Sequence, residues 1–265
     1  MSGQVELLGR FRSGGKEFVG RTDGFSVLEM DTSRMMDAIL DRAKITGKTY
    51  RIEDLRVLAP IDKPAKIICI GLNYRSHIQE MNWDTPSEPI IFTKPSSAII
   101  GHGDDIVLPA MSRRVDYEGE SALIMGKRAR RASDGADAIF GFTGFNDVTA
   151  RDLQKNDPDW TRAKGFDTFA PTGPFISPIA PASVTTRLNG CEVQKAETGD
   201  RVFDDTALVE YISRIMTLEP GDVIATGTPS GISSMKAGDV VEVELDSVGT
   251  LRNAVISSES NIEGR

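Results

Sequence analysis

The feature that most constrains this chain is the spacing of its short apolar runs against glycine and proline from residue 67 onward. The runs are Ile67–Ile70, Ile90–Phe92, Asp105–Leu108, Asp116–Met125, Ala138–Asn146, Phe175–Pro178, Val184–Leu188, Asp222–Ala225 and Val240–Leu245. Short stretches rich in β-branched and aromatic residues, bounded by turn formers, read as strands. Helical spacing is confined to Met35–Ala43, Ser76–Met81, Ala150–Gln154 and Ala207–Met216. Strands do not alternate with helices of crossover length, so a doubly wound parallel sheet does not fit. The pattern predicts an α+β fold, mainly β, with helices packed outside.

The N-terminal part has the same short-looped character. Val5–Phe11 and Glu17–Val19 flank Ser13-Gly14-Gly15, a hairpin turn, and Gly24–Met30 reads as a further strand. Asp31-Thr32-Ser33 offers an N-cap for the helix from Met35, and Arg51–Leu58 is a strand running into Ala59-Pro60. A soft boundary near residue 60 separates a small β-rich domain (1–60) from a larger one (61–258). Residues 259–265 form a tail in which Ile262-Glu263-Gly264-Arg265 reads as a protease-recognition remnant, set aside from the functional argument.

Hydrophobic residues make up 39% of the chain, enough for an ample core. Lys plus Arg is 31 against 39 Asp plus Glu, a net charge of −8. That balance argues against nucleic acid and anionic membranes as partners. The one basic cluster, Lys127-Arg128-Ala129-Arg130-Arg131, reads as a solvated turn. Cys69 lies in an apolar run, and with Cys191 it makes no Cys-x-x-Cys pair, so a reducing compartment is expected. No stretch approaches the ~18 apolar residues of a membrane span, and no apolar signal core opens the chain, so the expected location is cytoplasmic.

Chemistry concentrates in Arg114–Met125, R-V-D-Y-E-G-E-S-A-L-I-M. In one strand, Asp116, Glu118 and Glu120 would project from the same face and repel one another. A hard divalent cation would offset that repulsion; a solvated sheet edge is the plainer alternative. In Gly71–Met81, His77 and Glu80 would share a helical face, so the carboxylate could orient the imidazole; a surface turn fits as well. Ser76 and Gln79 fit a capping box that places His77 in the first turn. His102 has no such neighbour and reads as a turn residue. The apolar strand ending in Asn146-Asp147 presents Asp147 either as a further ligand or as an N-cap, while Arg151 and Gln154 share the next helical face. Lys164 sits in an aromatic, Gly- and Pro-rich loop, where a desolvated ammonium could stabilise an enolate or simply pack.

Taken in order, these segments resemble the fumarylacetoacetate hydrolase family across roughly residues 50 to 255. The carriers are G-x-N-Y-x-x-H-x-x-E, D-Y-E-G-E, N-D-V-T-A-R-D-x-Q, K-G-F-D-T-F and A-T-G-T-P-x-G, the last at Ala225–Gly231. The resemblance implies a mixed β-sandwich or roll of the fumarylacetoacetase C-terminal type with a small N-terminal domain, and a homodimer. It implies that Glu118, Glu120 and Asp147 hold one Mg²⁺ or Mn²⁺, with Asp116 as support. His77 and Glu80 become the catalytic dyad, on a segment that can act as a lid, and Lys164 assists at the substrate carbonyl. Arg151, Gln154 and Thr228 fall where relatives contact substrate.

The implied activity is divalent-metal-dependent hydrolysis of the C–C bond of a β-diketo acid, of acylpyruvate or fumarylpyruvate type, through a cation-stabilised enolate. An oxaloacetate-type decarboxylase or a 2-hydroxydienedioate isomerase would use the same site, since loss of CO₂ yields the same enolate and an isomerase reprotonates it elsewhere. A non-catalytic binding protein is the distant alternative; damage to the carboxylates, His77, Glu80 or Lys164 would mark it, and none is present. Trp83 and its neighbours are expected to shape the substrate pocket.

Overall fold

The computed structural model describes residues 6–258; Val5 and the tail remnant lie outside them. The chain starts as an antiparallel meander of β1 (Leu7–Ser13), β2 (Lys16–Thr22), β3 (Ser26–Met30) and β4 (Ile45–Arg51). Its first turn is the anticipated Gly14-Gly15 pair, both at positive φ, which a two-residue hairpin with native twist requires. The predicted helix from Met35 is shorter than its spacing suggested: α1 covers Met35–Ile39, and Asp41 turns to positive φ. Its cap position is Arg34, without a side-chain bond; Thr32 instead accepts from the Arg34 amide and donates to Asp37. The predicted strand Arg51–Leu58 is interrupted by a 3₁₀ turn at Ile52–Asp54, leaving β5 as Arg56–Leu58.

Beyond residue 60 come β6 (Ile67–Gly71), α2 (Arg75–Met81), β7 (Ile90–Lys94), β8 (Ile99–Ile100), β9 (Ile106–Leu108), β10 (Val115–Asp116), β11 (Gly119–Met125) and β12 (Ile139–Asn146). There follow β13 (Thr149–Ala150), α3 (Arg151–Asn156), α4 (Thr161–Lys164), β14 (Ala170–Ser177), β15 (Ser183–Leu188) and β16 (Cys191–Glu197). The chain closes with α5 (Asp205–Ile215), β17 (Val223–Ala225), β18 (Val240–Leu245) and β19 (Gly249–Ser257).

The large sheet runs β4-β3-β2-β1-β14-β12-β11-β17-β6-β7, and a five-stranded sheet runs β16-β15-β18-β19-β9. Parallel and antiparallel pairs mix in both, as the mixed sandwich requires. Residues 7–58 join the large sheet at Leu8↔Ile176, and their Val19, Met30 and Ile39 share a core with Ile67, Ile124 and Phe145. Between the sheets, Phe11 and Phe175 pack with Val243, Leu245 and Leu251. On the outer face α5 lays Leu208, Val209 and Ile212 against Ile68, Leu123 and Ile224. Each such side chain contributes about 1.5–3 kcal/mol by leaving water. Asp204 caps α5, accepting from the Ala207 amide at 2.8 Å.

Among the described residues no helix is long and apolar enough to cross a membrane. The basic cluster is a solvated turn paired with acids, Lys127 with Asp137 and Arg128 with Glu219.

Candidate metal centre and active site

The centre of the large sheet explains how residues far apart in sequence meet. β11 pairs with β12 so that Gly119 faces Asn146, which brings Glu118 and Glu120 beside Asp147 at adjoining strand ends. β17 lies on the other side of β11, with Ala122 opposite Ala225, and the chain after it delivers Gly227 and Thr228. β6 runs parallel to β17 and leads into α2, which carries His77 and Glu80. Next to it, β7 alternates faces so that Phe92 and Lys94 point the same way.

The acidic stretch is not one strand. It breaks between β10 and β11 at Tyr117-Glu118, so the three acids do not share a face as alternation predicts. Asp116 turns aside to accept from Arg114 and Arg151, each at 2.9 Å. Arg151 in turn binds Glu118. Glu118, Glu120 and Asp147 remain as a buried trio, with one carboxylate oxygen from each lying within 4.8 Å of the others.

Cations surround two of these acids but not the third. Lys164 Nζ donates to Glu118 at 2.9 Å and Asp147 at 2.6 Å, with Phe92 beneath it at 4.9 Å. Lys94 Nζ donates to the other Asp147 oxygen at 2.5 Å and to the Val148 carbonyl at 3.0 Å. Burial works against charge at Glu118, but Lys164 and Arg151 outweigh it and hold its carboxyl well below the usual range. Burial likewise opposes the Lys164 ammonium, and Asp147 with Glu118 more than offsets it. At Lys94 burial prevails and the ammonium pKa falls.

Among the described residues Glu120 accepts only from the Gly227 amide, at 2.8 Å. Burial, then Asp147 and Glu118, push its carboxyl well above the ordinary value. Glu118 is paired with Lys164 and Arg151, and Asp147 with Lys94 and Lys164, whereas among the described residues no cation pairs with Glu120. An all-oxygen donor set with a missing positive charge fits a hard divalent cation. Gly227 can reach Glu120 because its φ is +99°; a Cβ there would also lie 2.8 Å from that of Asn73.

The dyad faces the same cavity. His77 is buried, and its Nδ1 lies 2.8 Å from Glu80 Oε2, while Glu80 Oε1 accepts the Gly231 amide at 2.9 Å. The predicted capping box is not formed. Tyr74 occupies the cap position without a side-chain bond, and the Ser76 hydroxyl faces the Ser230 amide instead. Asp147 is not an N-cap either, since α3 begins after Ala150.

The cavity, about 420 Å³, is lined by the trio, His77, Lys164, Arg151, Gln154 and Thr228, with Trp83, Phe92 and Trp160 among its apolar walls. Glu80 supports it from behind His77. Gln154 accepts from Arg151 at 2.6 Å; Thr228 already donates to the Gly119 carbonyl and accepts from Gln194, both at 2.9 Å. Lys94 and Gln194 escape sequence reasoning, and Gly227 lies in the A-T-G-T-P-x-G motif without standing out from it. The signal for Lys94 was its alternation with Phe92 in an otherwise apolar strand; β16, which carries Gln194, is too polar to stand out.

The model of the fumarylacetoacetate (FAA) hydrolase C-terminal domain matches residues 66–256. An uncharacterized protein of Archaeoglobus fulgidus is 46% identical over 97% of this chain and 98% of its own length. The mitochondrial oxaloacetate tautomerase fahd2 of Xenopus laevis is 42% identical over 77% of this chain and 69% of its own. The crystal structure of 2-hydroxyhepta-2,4-diene-1,7-dioate isomerase from Mycobacterium marinum superposes with a TM-score of 0.85 at 37% identity, covering 96% of this chain and 99% of that one. The chain belongs to the fumarylacetoacetate hydrolase family.

Proposed function

We propose that this protein moves a proton on an enolisable 2-oxo acid, as a tautomerase or isomerase using a divalent cation. The observation that carries the reading is one cavity lined by both the buried acid trio and His77, whose Nδ1 is held by Glu80. The tautomerase and the dienedioate isomerase among its relatives support proton transfer over bond cleavage. Glu118, Glu120 and Asp147 would hold Mg²⁺ or Mn²⁺, which when bound supplies a Lewis acid for the 2-oxo group.

The protein's own groups do the rest. Glu80 occupies His77 Nδ1, which leaves Nε2 as the ring nitrogen that takes a proton from the substrate carbon and returns it elsewhere. The Gly231 amide fixes Glu80 and with it the ring. Lys164, kept cationic by its two acids, places positive charge where the enolate oxygen develops. Trp83, Phe92 and Trp160 supply apolar wall beside these groups. Hydrolysis of a β-diketo acid is the second reading: the same Nε2 would take a proton from water as it adds to the distal carbonyl, and the C–C bond would then break to release the enolate. Supporting it is the description of the matched family model.

The test follows ketonisation of enol-oxaloacetate by ultraviolet absorbance beside pyruvate release from acetylpyruvate, with Mg²⁺ or EDTA. Mg²⁺-dependent ketonisation without pyruvate release is the expected result. Pyruvate release alone would move the assignment to the hydrolase, and silence in both assays would reject the 2-oxo acid reading.

A further inference from the structure

We infer that the Tyr117 hydroxyl is a positioning group for the dyad, acting on His77 through Gly231 and Glu80; this rests on the reading of His77 as the proton carrier. His77 is buried, but the Glu80 side chain keeps 32% of its surface in solvent. Holding a long, part-exposed carboxylate in one rotamer costs conformational entropy, so its second anchor matters. That anchor is the Gly231 amide, 2.9 Å from Glu80 Oε1. Gly231 is itself fixed on two sides. Its φ is +102°, and a Cβ there would lie 2.1 Å from the Val193 carbonyl oxygen of β16, an approach only glycine permits. Its own carbonyl accepts from the Tyr117 hydroxyl at 2.9 Å.

Tyr117 is buried and lies outside the cavity lining, between Asp116 and Glu118 at the break in the acidic stretch. The chain after Gly231 runs antiparallel to this segment. The Tyr117 amide donates to the Ser233 carbonyl at 3.2 Å, and the Met235 amide to the Val115 carbonyl at 2.8 Å. Those backbone bonds hold the two segments together whether or not the hydroxyl is present. What the hydroxyl alone adds is the placement of Gly231, and with it the carboxylate that holds His77 Nδ1. Four residues earlier in the same strap, the Gly227 amide holds Glu120. The aim of the imidazole is thereby tied to the stretch that carries two of the three clustered acids, and not to α2 alone.

The experiment compares the native protein with Tyr117→Phe, which removes one hydroxyl and keeps the buried ring. With saturating Mg²⁺, kcat for ketonisation of enol-oxaloacetate should fall about tenfold, the scale of one hydrogen bond that aims a reacting group. KM, and the Mg²⁺ affinity read by calorimetry, should not move. Long-range proton–nitrogen NMR at pH 8 reads the His77 tautomer without turnover. The chain has two histidines, so the His77 signals are those lost in His77→Ala. The tautomer protonated at Nδ1 should dominate in the native protein, and Tyr117→Phe should shift the mixture toward the one protonated at Nε2. An unchanged kcat or an unchanged tautomer ratio would overturn the inference. So would weakened Mg²⁺ binding, which would place the effect of the hydroxyl on Glu118. A native protein that does not ketonise enol-oxaloacetate would reject the proton-transfer reading, and the tautomer ratio would still decide whether Tyr117 positions the dyad.

Discussion

Glu120 is the residue on which the metal-centre reading turns, because among the described residues no cation pairs with it. Burial and two neighbouring carboxylates raise its folded pKa above the unfolded value. Between those two values the folded chain holds a proton that the unfolded chain has released. Stability of the metal-free protein therefore falls as pH rises through that window. A bound divalent cation reverses the cost, so the rise in Tm on adding Mg²⁺ should be larger at pH 8 than at pH 5. Glu120→Gln should raise the metal-free Tm at pH 8 and abolish the Mg²⁺ increment; an undiminished increment would remove Glu120 from the site. Lys94 makes the opposite case. Lys94→Met leaves Asp147 buried with one cation fewer and should cost about 3 kcal/mol in urea unfolding, partly restored by saturating Mg²⁺. A variant as stable as the native protein would show that Lys94 does not hold Asp147.

At the scale of elements, what could be read from sequence depended on whether local pattern or distant neighbours set the outcome. β6, β12 and β18 follow from apolar runs, and α5 from helical spacing over a full face. Leu208→Ala on that face should cost about 2–5 kcal/mol while leaving Mg²⁺ binding unchanged, measured by denaturant unfolding and calorimetry. Short elements were decided elsewhere. α1 stops at Ile39 despite apolar spacing that continues to Ala43. β14 escaped over its first half because Pro171, Gly173 and Pro174 read as loop, yet every residue of the strand is buried. β19 alternates polar and apolar residues too weakly to register, though it pairs along β18. Around the site, side chains close in sequence were legible: His77 with Glu80, and Glu118 with Glu120. Lys94 and Gln194 arrive through sheet register, which sequence does not specify.

For the whole molecule, the sheet is the organising device. Five strands, β12, β11, β17, β6 and β7, place their ends so that the acid trio and His77 line one cavity, with Glu80, the Gly227 amide and Lys94 bonded to them. The N-terminal strands extend the same sheet through Leu8↔Ile176, a pairing no local pattern announces. The architecture thus holds a buried charge cluster rigid, with the dyad on a short helix at its edge. The most direct measurement of what that arrangement does is deuterium wash-in at C3 of 2-oxoglutarate in D₂O, followed by proton NMR. Mg²⁺-loaded protein should accelerate exchange above the uncatalysed background, EDTA should abolish the effect, and His77→Ala should slow it by about a hundredfold or more. Exchange that survives both EDTA and His77→Ala, or its absence in the loaded native protein, would contradict the account.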